Sequence, residues 1–243
     1  MGLSSNALFH LTSSKENLQG ILKDGFKLKY CVEIIETKKG RWKAAVPMVS
    51  FCDIPFSQIK NHLDSYGNYG IALSIEWRQR MGLNPVLYIE KHSSIGAELK
   101  NFAQDKLKGQ HISDVDKSLL PIVNILRYCK NYEGDLKRKD KDTVKGYRYS
   151  DEREWRYVPT SEEAQVIYLL DDYNDDSKKQ KANATLENLR LEFKPQDISY
   201  ILIQKTSEIP EFIEFIRSKN FPVREHERLL TRLVTVEQIQ KDF

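Results

Sequence analysis

Residues 50–74 read S-F-C-D-I-P-F-S-Q-I-K-N-H-L-D-S-Y-G-N-Y-G-I-A-L-S, and the rest of the chain is organised around them. Val49 and Phe51 close an apolar run that ends in the polar turn Asp53-Ile54-Pro55. Pro55 opens a helix whose inner face is Phe56, Ile59 and Leu63. A double Tyr-Gly follows, Tyr66-Gly67 and Tyr69-Gly70, and then a second apolar run, Ile71-Ala72-Leu73. Two glycines three apart beside aromatic rings are costly in a plain helix or strand. They suit a tight turn between a helix and a strand, with the tyrosines as rim packing. They equally suit a backbone that comes close to a flat ligand covered by a tyrosine.

Outward from this stretch the pattern alternates between strands and capped helices. Ala7 to Leu11 is a strand, and Ser13 with Glu16 forms a capping box for a helix that Gly25 stops. Phe26 to Gly40 reads as a basic, irregular connection, and Ala44 to Phe51 as a strand. Ser74 caps a short helix through Arg80, and Val86 to Ile89 is a strand. Residues 94–132 are mostly helical, with Leu119, Ile122, Val123, Leu126 and Cys129 at helical spacing and Pro121 starting the second helix. Residues 135–145 form a solvated charged loop, 147–158 a strand or strand pair, and 171–183 a mobile polar excursion. Leu189, Leu191 and Phe193 alternate as a strand. Ile198 to Ile203 is a continuous apolar strand, Pro210 opens a helix, and Leu229 to Val234 is the last strand. Thr235 with Gln238 caps a terminal helix.

The chain of 243 residues carries a net charge of +3, too little to argue for a nucleic-acid partner without a local cluster. Nothing in it is long and apolar enough to span a membrane, and the first residues lack a secretory pattern. Three cysteines without metal-like spacing fit a reducing cytoplasm. No Gly-rich phosphate loop, zinc pattern or nucleophile elbow is present, so no metal site is expected. The basic segment from Lys23 to Lys43, with Tyr30 and Trp42 interleaved, reads either as a solvated loop or as a surface that meets phosphates and stacks a base.

Three places combine polar residues with strand ends. One is His10 inside Phe9-His10-Leu11-Thr12, another is the turn from Tyr66 to Gly70, and the third is D-E-R-E-W-R-Y at 151–157. On an extended strand Glu152, Glu154 and Arg156 share a face. A carboxylate beside an arginine there is either a structural ion pair or a functional acid.

Taken together, these three places resemble the ADP-ribosyltransferases of the His-Tyr-Glu type. That resemblance implies NAD as substrate, with His10 on a ribose hydroxyl, Tyr69 stacked on nicotinamide and Glu154 as the catalytic carboxylate. Tyr66 and Glu152 are the alternates for the last two. Cleaving the nicotinamide bond builds positive charge on the ribose, which a nearby carboxylate stabilises. The cofactor-binding set it implies is His10, Thr12, Ser50, Tyr66, Tyr69 and Gly70.

The stretches L-F-H-L-T-S at 8–13, V-P-M-V-S-F-C-D-I-P at 46–55, Y-G-N-Y-G-I-A-L-S-I-E-W at 66–77, N-P-V-L-Y-I at 84–89, E-R-E-W-R-Y at 152–157 and the closing T-V-E-Q-I-Q-K-D-F span nearly the whole chain. Together they resemble the bacterial abortive-infection family AbiGi. It implies a phage-resistance protein, labelled the antitoxin of a two-gene system whose toxin is nucleotidyltransferase-like.

The expectation is one α+β domain over residues 1–243, ADP-ribosyltransferase-like, with split mixed and antiparallel sheets and flanking helices. It is expected to act in the cytoplasm in phage defence, moving ADP-ribose from NAD to a nucleic acid or protein. The alternative is a non-catalytic antitoxin that binds and restrains a partner toxin.

Overall fold

The computed structural model describes residues 5–107, 115–136, 142–160, 163–164, 168–169 and 175–242. Strand β1 (Ala7–Thr12) leads into α1 (Lys15–Asp24). The N-cap of α1 is Ser14, whose side chain accepts from the Asn17 N–H, one residue later than the Ser13 expected from the sequence. β2 (Phe26–Lys27) and β3 (Lys29–Thr37) replace the expected irregular connection. The reason is β-propensity: Val32, Ile34 and Ile35 favour an extended chain over a loop. A turn at Lys38-Lys39 returns the chain as β4 (Gly40–Cys52), antiparallel to β3 from Thr37 opposite Gly40 to Lys29 opposite Met48.

α2 (Phe56–Tyr66) follows Pro55 and buries Ile59 and Leu63 as its spacing predicted. β5 (Tyr69–Ser74) runs into α3 (Ile75–Arg80), where the Ser74 side chain accepts from the Trp77 N–H. Then come β6 (Asn84–Pro85), β7 (Leu87–Ile89), α4 (Ser94–Phe102) with a π-helical turn to Leu107, and α5 (Leu120–Leu126). Cys129, expected on the helical stripe, lies instead on β8 (Cys129–Asn131). β9 (Gly134–Leu136) and β10 (Val144–Tyr147) form a hairpin whose ends occupy the expected charged loop; residues 137–141 lie outside the described residues.

A 3₁₀ turn (Tyr149–Glu152) precedes β11 (Glu154–Tyr157), so the stretch 147–158 is only in part the expected strand. β12 (Tyr168–Leu169) is followed by α6 (Asp176–Ala184), a helix where a polar excursion was expected. Asp175 caps it, and residues 171–174 of that excursion lie outside the described residues. β13 (Arg190–Leu191), β14 (Ile198–Ile203), α7 (Ile209–Arg217), α8 (Val223–Leu230), β15 (Leu233–Thr235) and α9 (Val236–Asp242) complete the chain. Leu229 and Leu230, expected on the last strand, belong to α8. The Thr235–Gln238 capping box forms as predicted: Thr235 N–H donates to the Gln238 side chain at 2.9 Å, and Gln238 N–H to the Thr235 hydroxyl at 3.1 Å.

The fold is α+β, with antiparallel and mixed pairing, and divides into two compact units. The first comprises residues 1–27, 50–83 and 190–243. Its sheet runs β15, β14, β5, β1 and the end of β4, with β14 parallel to β15 and antiparallel to β5. Phe9, Ala72 and Leu202 on one face pack with Ile59 and Leu63 of α2 and Val236 and Ile239 of α9. The second comprises residues 28–49 and 84–189. Its core gathers Ile35, Trp42, Ala44, Val46 and Met48 of the β3–β4 hairpin with Ile89, Val123, Leu126 and Cys129.

Candidate functional site

In the first unit the antiparallel register of β1 and β5 sets His10 opposite Ile71 and Thr12 opposite Tyr69. Directly opposed residues share a face, so His10, Thr12 and Tyr69 lie on the same side of the sheet. The His10 Nδ1 is 2.8 Å from the Ser50 carbonyl oxygen, and its ring meets the edges and faces of Phe26 and Phe51. Burial lowers the His10 pKa, against the pull of that carbonyl, which leaves the ring neutral at pH 7. Ser50 therefore contributes its main-chain oxygen here. The Thr12 hydroxyl accepts from the Asn17 side chain at 3.1 Å.

Tyr69 is buried, and its hydroxyl donates to Glu208 at 2.7 Å, with Gln204 at 3.3 Å. Burial, followed by that bond to Glu208, raises the pKa of the phenol. Tyr66, at the end of α2, is the more exposed of the two tyrosines and stacks parallel to the His62 ring. The glycines beside them answer to backbone. A Cβ on Gly70 would stand 2.8 Å from the His10 carbonyl oxygen, and Gly67 adopts φ 116° against the β1–α1 turn. The close approach anticipated for a ligand is filled by the chain itself.

The second unit holds the E-R-E-W-R segment. Glu152, Glu154 and Arg156 are all buried, as the expected shared face required. Glu152 reaches the interior from the 3₁₀ turn rather than from a strand. Arg153 makes this possible by taking a left-handed conformation, φ 46° and ψ 51°, between the two glutamates. The Arg156 guanidinium donates from Nε to Glu154 Oε1 at 2.6 Å and from Nη2 to Glu33 at 2.7 Å. Its Nη1 donates to the Arg127 carbonyl at 3.0 Å. The Lys130 ammonium lies 2.7 Å from Glu154 Oε2 and 3.0 Å from Glu152 Oε2. Tyr147 donates to Glu152 at 3.1 Å, and the Glu154 N–H donates to the Tyr88 hydroxyl at 2.9 Å.

Burial works to raise the Glu154 pKa, but the charges of Arg156 and Lys130 outweigh it and hold the carboxyl at about 2. For Glu33 burial prevails over the same two cations, and its pKa is raised. Lys130 and Arg156 are held protonated by the surrounding carboxylates despite their burial. Both oxygens of Glu154 are thus occupied by cations. To face a developing positive charge the carboxylate would have to leave at least one of them.

Lys130, Glu33 and Tyr88 are members of this network that the sequence did not single out. Glu33 left a trace, a lone acid within the apolar run of β3; Lys130 and Tyr88 left none. His10 and Tyr69 thus belong to the first unit and Glu154 to the second. Among the described residues no group of His, Cys, Asp and Glu side chains is arranged to hold a metal ion. No helix of the described residues is long and apolar enough to cross a membrane. Tyr30 and Trp42 are buried, which overturns their reading as rings free to stack a base within the basic segment.

Comparison with known proteins gives the second unit and part of the first a family. Residues 25–204, more than half of the chain, match the family described as "Putative abortive phage resistance protein AbiGi, antitoxin". The chain belongs to the AbiGi family. It is 29% identical over 221 residues to the abortive phage resistance protein AbiGi of Lactococcus lactis subsp. cremoris, an alignment covering 82% of this chain and 89% of that protein. No solved structure matches the chain. The AbiGi match takes in Tyr66, Tyr69, Glu152 and Glu154 and begins after His10 and Thr12.

Proposed function

We propose that this AbiGi chain serves abortive phage resistance in the cytoplasm as the antitoxin that binds a partner toxin and restrains it without turnover. The observation that carries this reading is the state of Glu154, whose two oxygens are both committed to Arg156 and Lys130. A carboxylate so held is a structural member of a core. The family description as an antitoxin supports the same conclusion. The second unit also leaves Val32, Ile34, Leu87, Ile95, Ile125 and Val144 substantially exposed, apolar side chains that are available to a partner. Co-expression with the nucleotidyltransferase-like toxin tests the proposal. Growth should be restored by the wild type and equally by Glu154→Gln; rescue lost with that variant while it remains folded would refute it.

One observation favours a second reading, transfer of ADP-ribose from NAD in an ADP-ribosyltransferase-like fold. Glu154 is ionised at all physiological pH values, as a group that steadies an oxocarbenium-like transition state must be. Incubation with labelled NAD and infected-cell lysate separates the two. Label on protein or nucleic acid with wild type and none with Glu154→Gln supports transfer, whereas no label with either removes it.

A further inference from the structure

The β3–β4 hairpin ends in a strand edge that is closed at both ends and open in its middle. The Tyr30 N–H donates outward to the Asn183 side chain at 3.0 Å, and the Glu36 N–H donates outward to the Asn131 side chain at 2.7 Å. The Lys38 N–H goes outward to the Lys91 carbonyl at 2.7 Å. Strand alternation sends every second N–H the same way, so those of Val32 and Ile34 also point away from β4. Among the described residues neither has a hydrogen-bond partner, although β8, α4 and α6 pack near β3. The side chains of Val32 and Ile34 are 45% and 44% exposed. An edge of this composition is a template for another strand unless charge or cover blunts it.

Charge decides what kind of strand fits. Lys29, Lys38, Lys39 and Arg41 are exposed on the hairpin, with Lys43 half-buried. Among the described residues none of the five pairs with a carboxylate. Of the two acids of β3, Glu33 is drawn inward to Arg156. Only Glu36 remains outside, so the exposed charge of the hairpin itself is mostly positive.

We infer that the open edge at Val32–Ile34 takes up an extended acidic segment of the partner toxin, one that alternates apolar and acidic residues and pairs with β3 as an added strand. Main-chain bonds supply the register, Val32 and Ile34 the apolar contact, and the lysines the choice of an acidic partner. The inference rests on the antitoxin reading and adds where and by what chemistry the toxin is held.

Ile34→Pro removes an outward N–H that no described group uses, a change an edge strand accommodates. Lys38→Glu/Lys39→Glu/Arg41→Glu leaves the backbone alone and reverses the charge. With the purified toxin as probe, Ile34→Pro should weaken binding about tenfold. The charge reversal should weaken it further and flatten its dependence on salt, and the Val32 and Ile34 amides of the wild type should become protected from hydrogen exchange in the complex. Wild-type affinity in both folded variants, with those amides still exchanging, overturns the inference and leaves the antitoxin reading intact. Failure of the wild type to bind the toxin overturns both.

Discussion

Arg156 Nε lies 2.6 Å from Glu154 Oε1, two positions back on the same strand, with the arginine side chain wholly removed from solvent. A buried pair of this kind is worth little against an apolar alternative but a great deal against losing one partner. Arg156→Met should therefore lower the unfolding free energy by about 3–5 kcal/mol, measured by urea titration. The double change Glu154→Leu/Arg156→Met should recover part of that loss. A single variant as stable as the wild type would show that Lys130 alone balances Glu154.

The glycines of the Tyr-Gly turn offer a second test. A Cβ on Gly67 would stand 2.3 Å from the Thr12 carbonyl oxygen, at a φ of 116° that side chains avoid. Gly67→Ala should cost well over about 1 kcal/mol. Gly20, within α1 and with nothing within 4 Å of a Cβ, should respond oppositely. Gly20→Ala should gain about 0.5–1 kcal/mol. Thermal unfolding of both variants checks the contrast.

Acid should attack the second unit through Glu154. Its folded pKa of about 2 lies below the ordinary carboxylate value of 4.5, so the unfolded chain binds more protons between these values. Stability from this group is complete above pH 4.5 and is lost as pH falls toward 2. Glu33, raised by burial, acts in the opposite sense and is stabilising where it is protonated. Urea midpoints measured across that range should fall with pH in the wild type and fall less steeply in Glu154→Gln.

Tyr69→Phe removes the hydroxyl that donates to Glu208 and leaves the ring packing. The loss should be about 1 kcal/mol, seen in the unfolding transition, with toxin binding unchanged. A variant that folds as stably but no longer restrains the toxin would give Tyr69 a direct part in function.

Residues with strong periodicity and fixed caps were legible in the sequence. Ile59 and Leu63 on α2, Ser74 before α3, and Thr235 with Gln238 all follow from local rules that tertiary contacts did not override. The β3 strand was obscured because its lysines look like a loop, although Val32, Ile34 and Ile35 carry the strand signal. Cys129 fell into helical spacing by coincidence, because β8 begins soon after α5 ends. Glu154 and Arg156 could be foreseen on one side from alternation, whereas Glu152 joins them from the 3₁₀ turn through the left-handed Arg153, which alternation does not anticipate. Lys130 could not: it reaches Glu154 from β8, 24 positions earlier, and only the fold brings them together.

The division of the chain has a consequence for how it is made. Every piece of the second unit has been synthesised once residue 189 is joined, whereas the first unit still awaits residues 190–243. Those residues bring β14, the strand that covers the free side of β5, and α9, which covers Phe9 and Ala72. A nascent chain can therefore condense its middle on the ribosome while the apolar face of β1 and β5 is covered by α2 alone and lacks α9, a stage at which aggregation or chaperone capture competes with folding. β1, made before the other strands of its sheet, is fully buried only when the last helix arrives.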